Sequence, residues 1–125
     1  VTPPFPGYTS GHAAFGWSLK EVMADYTQDE FVPGGLMTWE VTELPFDAPP
    51  SAPVVLQWAT YQDIADDGGL GRLMCGVHPR VDAVASRPIG RECGQGAMAL
   101  AREYFSGRHD GVVPVKQDDW DKADR

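Results

Sequence analysis

The apolar residues that follow Ser10 recur every three or four positions, which is the period of an α-helix. The pattern begins directly after the proline-rich stretch PPFPGYTS, and serine is a residue type that favours the N-cap of a helix. We therefore predict a helix from about residue 11 to about residue 26. His12 lies in its first turn, and we expect it to face inward on the same stripe as the apolar residues Phe15, Leu19, Val22, Met23 and Tyr26.

Three later segments also carry helical spacing, at about residues 56–75, 79–86 and 90–105. Gly76 is a favourable C-terminal cap for the first segment, and Pro88 separates the other two because proline interrupts helical hydrogen bonding. Residues 27–55 are rich in proline, glycine and acidic residues and have no sustained period, so we predict a long connecting loop with at most a short strand near MTWEVTEL. The predicted fold class is all-α, a helical bundle.

The composition limits the classes of protein to which this chain can belong. Its 125 residues, 42% of them hydrophobic, suit a single domain or a fragment spanning residues 1–125. A formal net charge of -8 argues against nucleic acid as a partner, and no run reaches the roughly 18 apolar residues of a membrane span. Because the sequence starts at Val1 and enters a proline-rich stretch directly, we expect a segment to precede it. Two cysteines, Cys75 and Cys93, are interpreted as free thiols or as one disulfide.

A set of polar residues could bind a tetrahedral oxyanion. The backbone N–H groups of Gly11 and the next residue open the first helix beside Ser10, and such a helix start attracts negative charge. Arg72 can present a planar fork of N–H donors to two anion oxygens. Taken one at a time, these residues are also typical of helix capping and of surface ion pairs.

Two histidines add acid–base chemistry to this set. Pro79 places His78 in a tight turn, and Asp82 follows it by four residues, so the carboxylate can orient one ring nitrogen and leave the other free to attack or to ligate. His12 is then available as an acid or base. Two histidines and an aspartate could instead bind zinc or iron, although no HxH, HxxxH or HExxH pair anchors them. The third histidine, in SGRHDGVV, is interpreted as part of an exposed turn.

Two motifs give the chain a resemblance to a known superfamily. TPPFPGYTSGHAAFG and GRLMCGVHPRVDA resemble the second and third signature motifs, PSGH and SRxxxxxHxxxD, of the vanadium-dependent haloperoxidases and the type 2 phosphatidate phosphatases. The form of the first stretch is more similar to the chloroperoxidase type. Thr9 replaces the usual proline and Gly71 the usual serine, and the first motif of the family, KxxxxxxRP, is absent. The resemblance implies the C-terminal part of a larger helical fold.

The resemblance also implies roles for individual residues. His78 would bond to vanadium in a peroxidase or attack phosphorus in a phosphatase, and Asp82 would orient it. The oxyanion would be held by Ser10, Gly11 and Arg72, His12 would be the acid or base, and Phe5 would lie by the halide site. The implied cofactor is vanadate, for which phosphate would compete.

The function implied by the resemblance is the oxidation of halide by hydrogen peroxide to hypohalous acid. An acid phosphatase acting on a small phosphate ester through a phosphohistidine is the alternative, and an inactive helical scaffold is a third reading because KxxxxxxRP is absent. We expect a preceding segment or another chain to supply the missing lysine and arginine. A homo-oligomer is compatible with these observations, and the compartment stays open, with an exported protein slightly favoured over a cytoplasmic one.

Overall fold

In the computed structural model, which describes residue 4 and residues 6–107, three α-helices and a two-stranded sheet form the architecture. The elements follow in the order α1 (Gly11–Thr27), β1 (Met37–Val41), β2 (Val54–Trp58), α2 (Tyr61–Met74) and α3 (Arg80–Phe105). The predicted helical-bundle class is confirmed, and a small sheet is added to it. Helix α1 packs against both other helices, whereas α2 and α3 contact each other much less.

Helices α1 and α3 run parallel and approach each other through glycines of α3. A Cβ atom added to Gly90 would overlap the carbonyl oxygen of Ala14 and lie 3.0 Å from Trp17 Cβ. One turn later, a Cβ on Gly94 would overlap the carbonyl oxygen of Ser18. No other residue type allows two helix backbones to come this close, so these two glycines set the distance between the helices.

Helix α2 runs antiparallel to α1. A Cβ atom on Gly16 would lie 3.3 Å from Ala65 Cα, and one on Gly69 would lie 3.6 Å from Ala13 Cβ. Pairing of earlier α1 residues with later α2 residues brings the start of α1 to the end of α2. The buried hydrophobic core lies along these contacts and consists of Ala13, Trp17, Tyr61, Ala65, Ala83 and Met98.

The side of α1 that we predict to be buried is exposed at Phe15, Leu19 and Tyr26 and only half-buried at Val22 and Met23, so that prediction is wrong. Phe15 is 77% exposed and Tyr26 is 75% exposed, whereas Ala13 and Trp17 are buried. The other helices approach α1 through glycines, and the buried face of α1 is the one with Ala13 and Trp17. The prediction followed the spacing of the large apolar residues and therefore selected another face of α1.

Pro88 does not end a helix, which contradicts the predicted break between residues 86 and 90. Helix α3 is continuous through Pro88. Proline removes one helical hydrogen bond at this position. The packing of Ala83, Gly90 and Gly94 along the helix keeps both halves in one line and outweighs that loss.

Strand β2 occupies the start of the segment that we predicted as a helix from residue 56. It pairs antiparallel with β1 inside the predicted 27–55 connection, with Trp39 opposite Leu56. Helix α2 begins only at Tyr61, where a capping box joins Thr60 and Asp63. Hydrogen bonds from the Thr60 side chain and backbone hold the pKa of Asp63 below its ordinary value of 3.8.

The end of α2 follows the prediction. Gly76 has a φ of 69°, a left-handed conformation that glycine adopts without strain, and Val77 N donates to Arg72 O at 3.2 Å in the turn that leads to α3. The two cysteines are exposed free thiols. Among the described residues, no helix has the length and apolar character needed to cross a membrane.

Candidate functional site

His78 and Asp82 form a buried pair at the start of α3. His78 Nδ1 lies 3.3 Å from Asp82 Oδ2, and both side chains are 7% exposed. Ser86, one turn further along α3, donates a hydrogen bond of 2.7 Å to the Asp82 carbonyl oxygen and is fully buried. This bond fixes the backbone of α3 at Asp82, and the Asp82 carboxylate itself faces the imidazole.

Gly7 brings the segment before α1 onto this pair. A Cβ atom added to Gly7 would lie 2.7 Å from Asp82 Oδ2 and 3.9 Å from His78 Nδ1. The two sequence motifs, which are about 70 positions apart, thus meet in space. Sequence reasoning missed Gly7, and the signal available was a glycine inside a proline-rich stretch, where a close backbone approach is typical.

Ser10 occupies the N-cap position of α1, but its side chain makes no capping hydrogen bond. The residue is 0% exposed, and its hydroxyl oxygen has no hydrogen-bond partner. A buried hydroxyl without a partner is unfavourable by roughly 1–3 kcal/mol, so this oxygen is available to a ligand. Gly11 follows directly and begins α1.

Arg72 lies in the last turn of α2, and its Nε atom is buried without a partner. The contact of Ala13 with Gly69 lies one turn from Ser10 on α1 and one turn from Arg72 on α2. The two helices are antiparallel, so the start of α1 lies beside the end of α2. One turn beyond this contact, the helices bring Ser10 and Arg72 to the same end of the bundle. Two buried polar atoms without partners therefore belong to the same end of the bundle as His78 and Asp82.

His12 differs from the other predicted site residues. It lies in the first turn of α1, as expected, but the structure places it among the exposed residues, and the expectation that it faces inward is wrong. The buried positions nearby belong to Ser10 and Ala13, on either side of it. Phe5 and the third histidine lie outside the described residues.

This arrangement offers donors for an anion more than ligands for a cation. The described residues contain no group of three or more histidines, cysteines, aspartates or glutamates that could hold a metal ion. Three buried side-chain polar atoms of the described residues lack a partner: the Tyr61 hydroxyl at the start of α2, and the Ser10 hydroxyl and Arg72 Nε at this end of the bundle. The Arg72 guanidinium can bind an oxyanion by charge-assisted hydrogen bonds. The imidazole that faces Asp82 adds a nucleophile or a proton carrier.

Comparisons with known proteins point to one family. The family model described as the VCPO second helical-bundle domain matches residues 1–107. A solved structure, described as the crystal structure of an apo-type bacterial vanadium-dependent chloroperoxidase, is similar with a TM-score of 0.75 and 15% sequence identity. The similarity covers 85% of this chain and 23% of that chain, so this chain spans about a quarter of its length. A search of curated proteins found no match.

Proposed function

The chain belongs to the VCPO second helical-bundle domain family, a vanadium haloperoxidase-like helical domain, and from this we propose that it carries the oxyanion site of a vanadate-dependent haloperoxidase. The proposed reaction is the oxidation of halide by hydrogen peroxide to hypohalous acid. The signature motifs of the sequence support this assignment, and so does the similarity in fold to a vanadium-dependent chloroperoxidase.

The observation that carries the proposal is the meeting of the two motifs at Gly7. An added Cβ atom there would touch Asp82 and come close to His78, although the sequence separates these residues widely. A purely structural loop would satisfy its own buried polar groups. Here the Ser10 hydroxyl is left without a partner, as is Nε of Arg72.

These residues fit a tetrahedral oxyanion. Ser10, Gly11 and Arg72 would hold it by hydrogen bonds, and His78 would ligate it through the ring nitrogen that does not face Asp82. When bound, vanadate would supply a Lewis acid that activates peroxide, and the vanadium would keep its oxidation state.

The protein's own side chains would then control protons and charge. His78 Nδ1 lies 3.3 Å from Asp82 Oδ2. Because an ionised carboxylate can only accept, Asp82 would keep the proton on Nδ1 and leave Nε2 with a free lone pair. Arg72 would neutralise negative charge on the anion without taking part in proton transfer, since its guanidinium stays charged. His12, at the exposed start of α1, would exchange protons with solvent.

We also propose that cationic residues from outside these 125 residues complete the site. Within the described site Arg72 is the one permanently charged cation, and the chain covers 23% of the similar chloroperoxidase chain. An intact mass of the purified protein, together with the gene upstream of Val1, tests this directly. A lysine and an arginine in the pattern KxxxxxxRP are expected there, and their absence would favour an inactive scaffold.

The function is tested with the full-length protein. Orthovanadate is added and binding is followed by ⁵¹V NMR, while peroxide-dependent halogenation of a phenol dye and phosphate release from an aryl phosphate are measured in parallel. We expect vanadate binding and halogenation in the wild type, loss of both in His78→Ala, and at least about tenfold weaker binding in Arg72→Gln.

Arg102→Gln is the matched control, because it removes the same charge at the far end of α3, where Arg102 pairs with Asp25. It should bind vanadate as the wild type does. Halogenation that survives His78→Ala would overturn the site assignment. Phosphate release without halogenation would establish the phosphatase alternative, and neither activity in the vanadate-loaded protein would favour the scaffold.

A further inference from the structure

A cavity of about 320 Å³ lies between the three helices. It explains why α2 and α3 contact each other little although both pack on α1. A volume of this size falls within the range of small-molecule binding pockets. Its walls combine apolar side chains with three charged groups, and the residues that define its character are Trp17, Leu70, Leu73, Val84, Arg80 and Arg87.

The charges in the wall do not cancel. Asp66 accepts a hydrogen bond of 3.1 Å from the Trp17 indole nitrogen and pairs with Arg87 at 2.8 Å. The guanidinium of Arg87 also lies 5.5 Å from the centre of the Trp17 ring. Arg87 and Asp66 are therefore committed to each other and contribute no net charge to the cavity.

Arg80 is the remaining charged residue of the wall. Within the described part of the chain it makes no hydrogen bond and no ion pair, and it is exposed. Its charge is uncompensated in a protein whose formal net charge is -8. A small anion is the ligand that this residue favours, because a guanidinium binds a carboxylate through two parallel hydrogen bonds.

The apolar part of the wall decides what kind of anion fits. Leu70 and Val84 line the cavity and are nearly half exposed, and burial of such apolar surface by a ligand is favourable. An inorganic anion would leave these side chains in contact with water. A carboxylate with an apolar body would cover them and place its charged head on Arg80.

We propose that this cavity binds small organic carboxylates with an apolar body. The body packs against Leu70, Leu73 and Val84, and the carboxylate accepts hydrogen bonds from Arg80. None of the residues that line this cavity is among the proposed oxyanion ligands, and binding does not need vanadate, so the proposal can be tested independently of the proposed function.

The experiment measures binding of phenylacetate, benzoate and 2-naphthoate to the full-length protein by isothermal titration calorimetry, without vanadate. Phenylacetamide has the same apolar body as phenylacetate but no carboxylate, so it tests the need for charge. Acetate has the carboxylate but no apolar body, so it tests the need for apolar contact. We expect dissociation constants in the millimolar range or below for the three aromatic acids, and at least about tenfold weaker binding for the amide and for acetate.

Arg80→Gln should weaken binding of phenylacetate by about tenfold, whereas Arg102→Gln, which removes the same charge away from the cavity, should change it less than about twofold. Circular dichroism is used to check that both variants are folded. The proposal is overturned if none of the three acids binds at millimolar concentration, if phenylacetamide binds as well as phenylacetate, or if Arg80→Gln and Arg102→Gln bind alike.

Discussion

At the contact between α1 and α3, two glycines let the helix backbones meet, whereas the β1–β2 hairpin carries bulky apolar side chains that stay exposed. Gly90 and Gly94 lie against the backbone of α1, while Trp39 on β1 is 60% exposed. The close backbone approach at these two glycines positions α3 on α1, and the bulky side chains of the hairpin take no part in that contact. The helices that are held this way also carry Ser10 and Asp82, so the candidate site depends on the first region and not on the second.

The largest effect is expected from filling the space between α1 and α3. Gly90→Ala places a methyl group on the Ala14 carbonyl oxygen, and the helices must separate, so we expect a loss of about 2–3 kcal/mol in the free energy of unfolding. Chemical denaturation measures this loss. Gly96→Ala is the matched control, because nothing lies within 4 Å of its added Cβ and the better helix propensity of alanine should stabilise by up to about 1 kcal/mol. Equal stability of the two variants would contradict the comparison.

An intermediate effect is expected at Asp63, where the hairpin ends and α2 begins. Its side chain accepts hydrogen bonds from the backbone N–H groups of Ala59 and Thr60 at 3.2 and 2.9 Å. Because the folded-state pKa is lowered, its stabilising contribution is present above pH 3.8 and is lost as the pH falls through the folded-state pKa. Asp63→Asn should therefore lower stability at pH 7 and remove this part of the acid dependence. Melting curves between pH 2 and pH 7 test this, with Asp47→Asn, an exposed loop residue, as the control that should leave the profile unchanged.

The smallest effect is expected in the hairpin itself. Trp39→Thr keeps a residue that favours strands and removes a large exposed ring that faces Leu56 across the sheet. We expect a change of no more than about 0.5 kcal/mol in the free energy of unfolding, measured as for Gly90→Ala. A loss as large as that of Gly90→Ala would mean that the hairpin holds the helices together, and the contrast between the two regions would fail.

The sequence predicts those parts of the fold that depend on local chemistry. The start of α1 after Ser10 and the stop of α2 at Gly76 are confirmed. The left-handed preference of glycine is local, whereas Ser10 occupies the N-cap position without a side-chain capping bond. The path of α3 through Pro88 is not predictable in this way, because it is decided by contacts with a helix about 75 positions earlier.

The candidate site likewise has one part that local sequence spacing predicts and another part that depends on long-range packing. The i, i+4 spacing of His78 and Asp82 indicates from the sequence alone that the two side chains can meet, and they do lie in contact. The approach of Gly7 to this pair depends on the parallel packing of α1 and α3, and glycine carries no hydrophobic signal that reveals it. His12 was placed inward because the predicted apolar stripe was the wrong face of α1. The functional roles of these residues stay predictions.

Pro88, inside α3, is the position at which this helix bends most easily. It has no N–H group to donate to the Val84 carbonyl oxygen, so the first two turns of α3 lack one of the bonds that tie them to the remainder of the helix. The turns after Pro88 are held against α1 by Gly90 and Gly94, and the turns before it carry Asp82 and Arg80. Bending of α3 therefore costs least at Pro88, and a bend there would move Asp82 and Arg80 together relative to the turns held against α1.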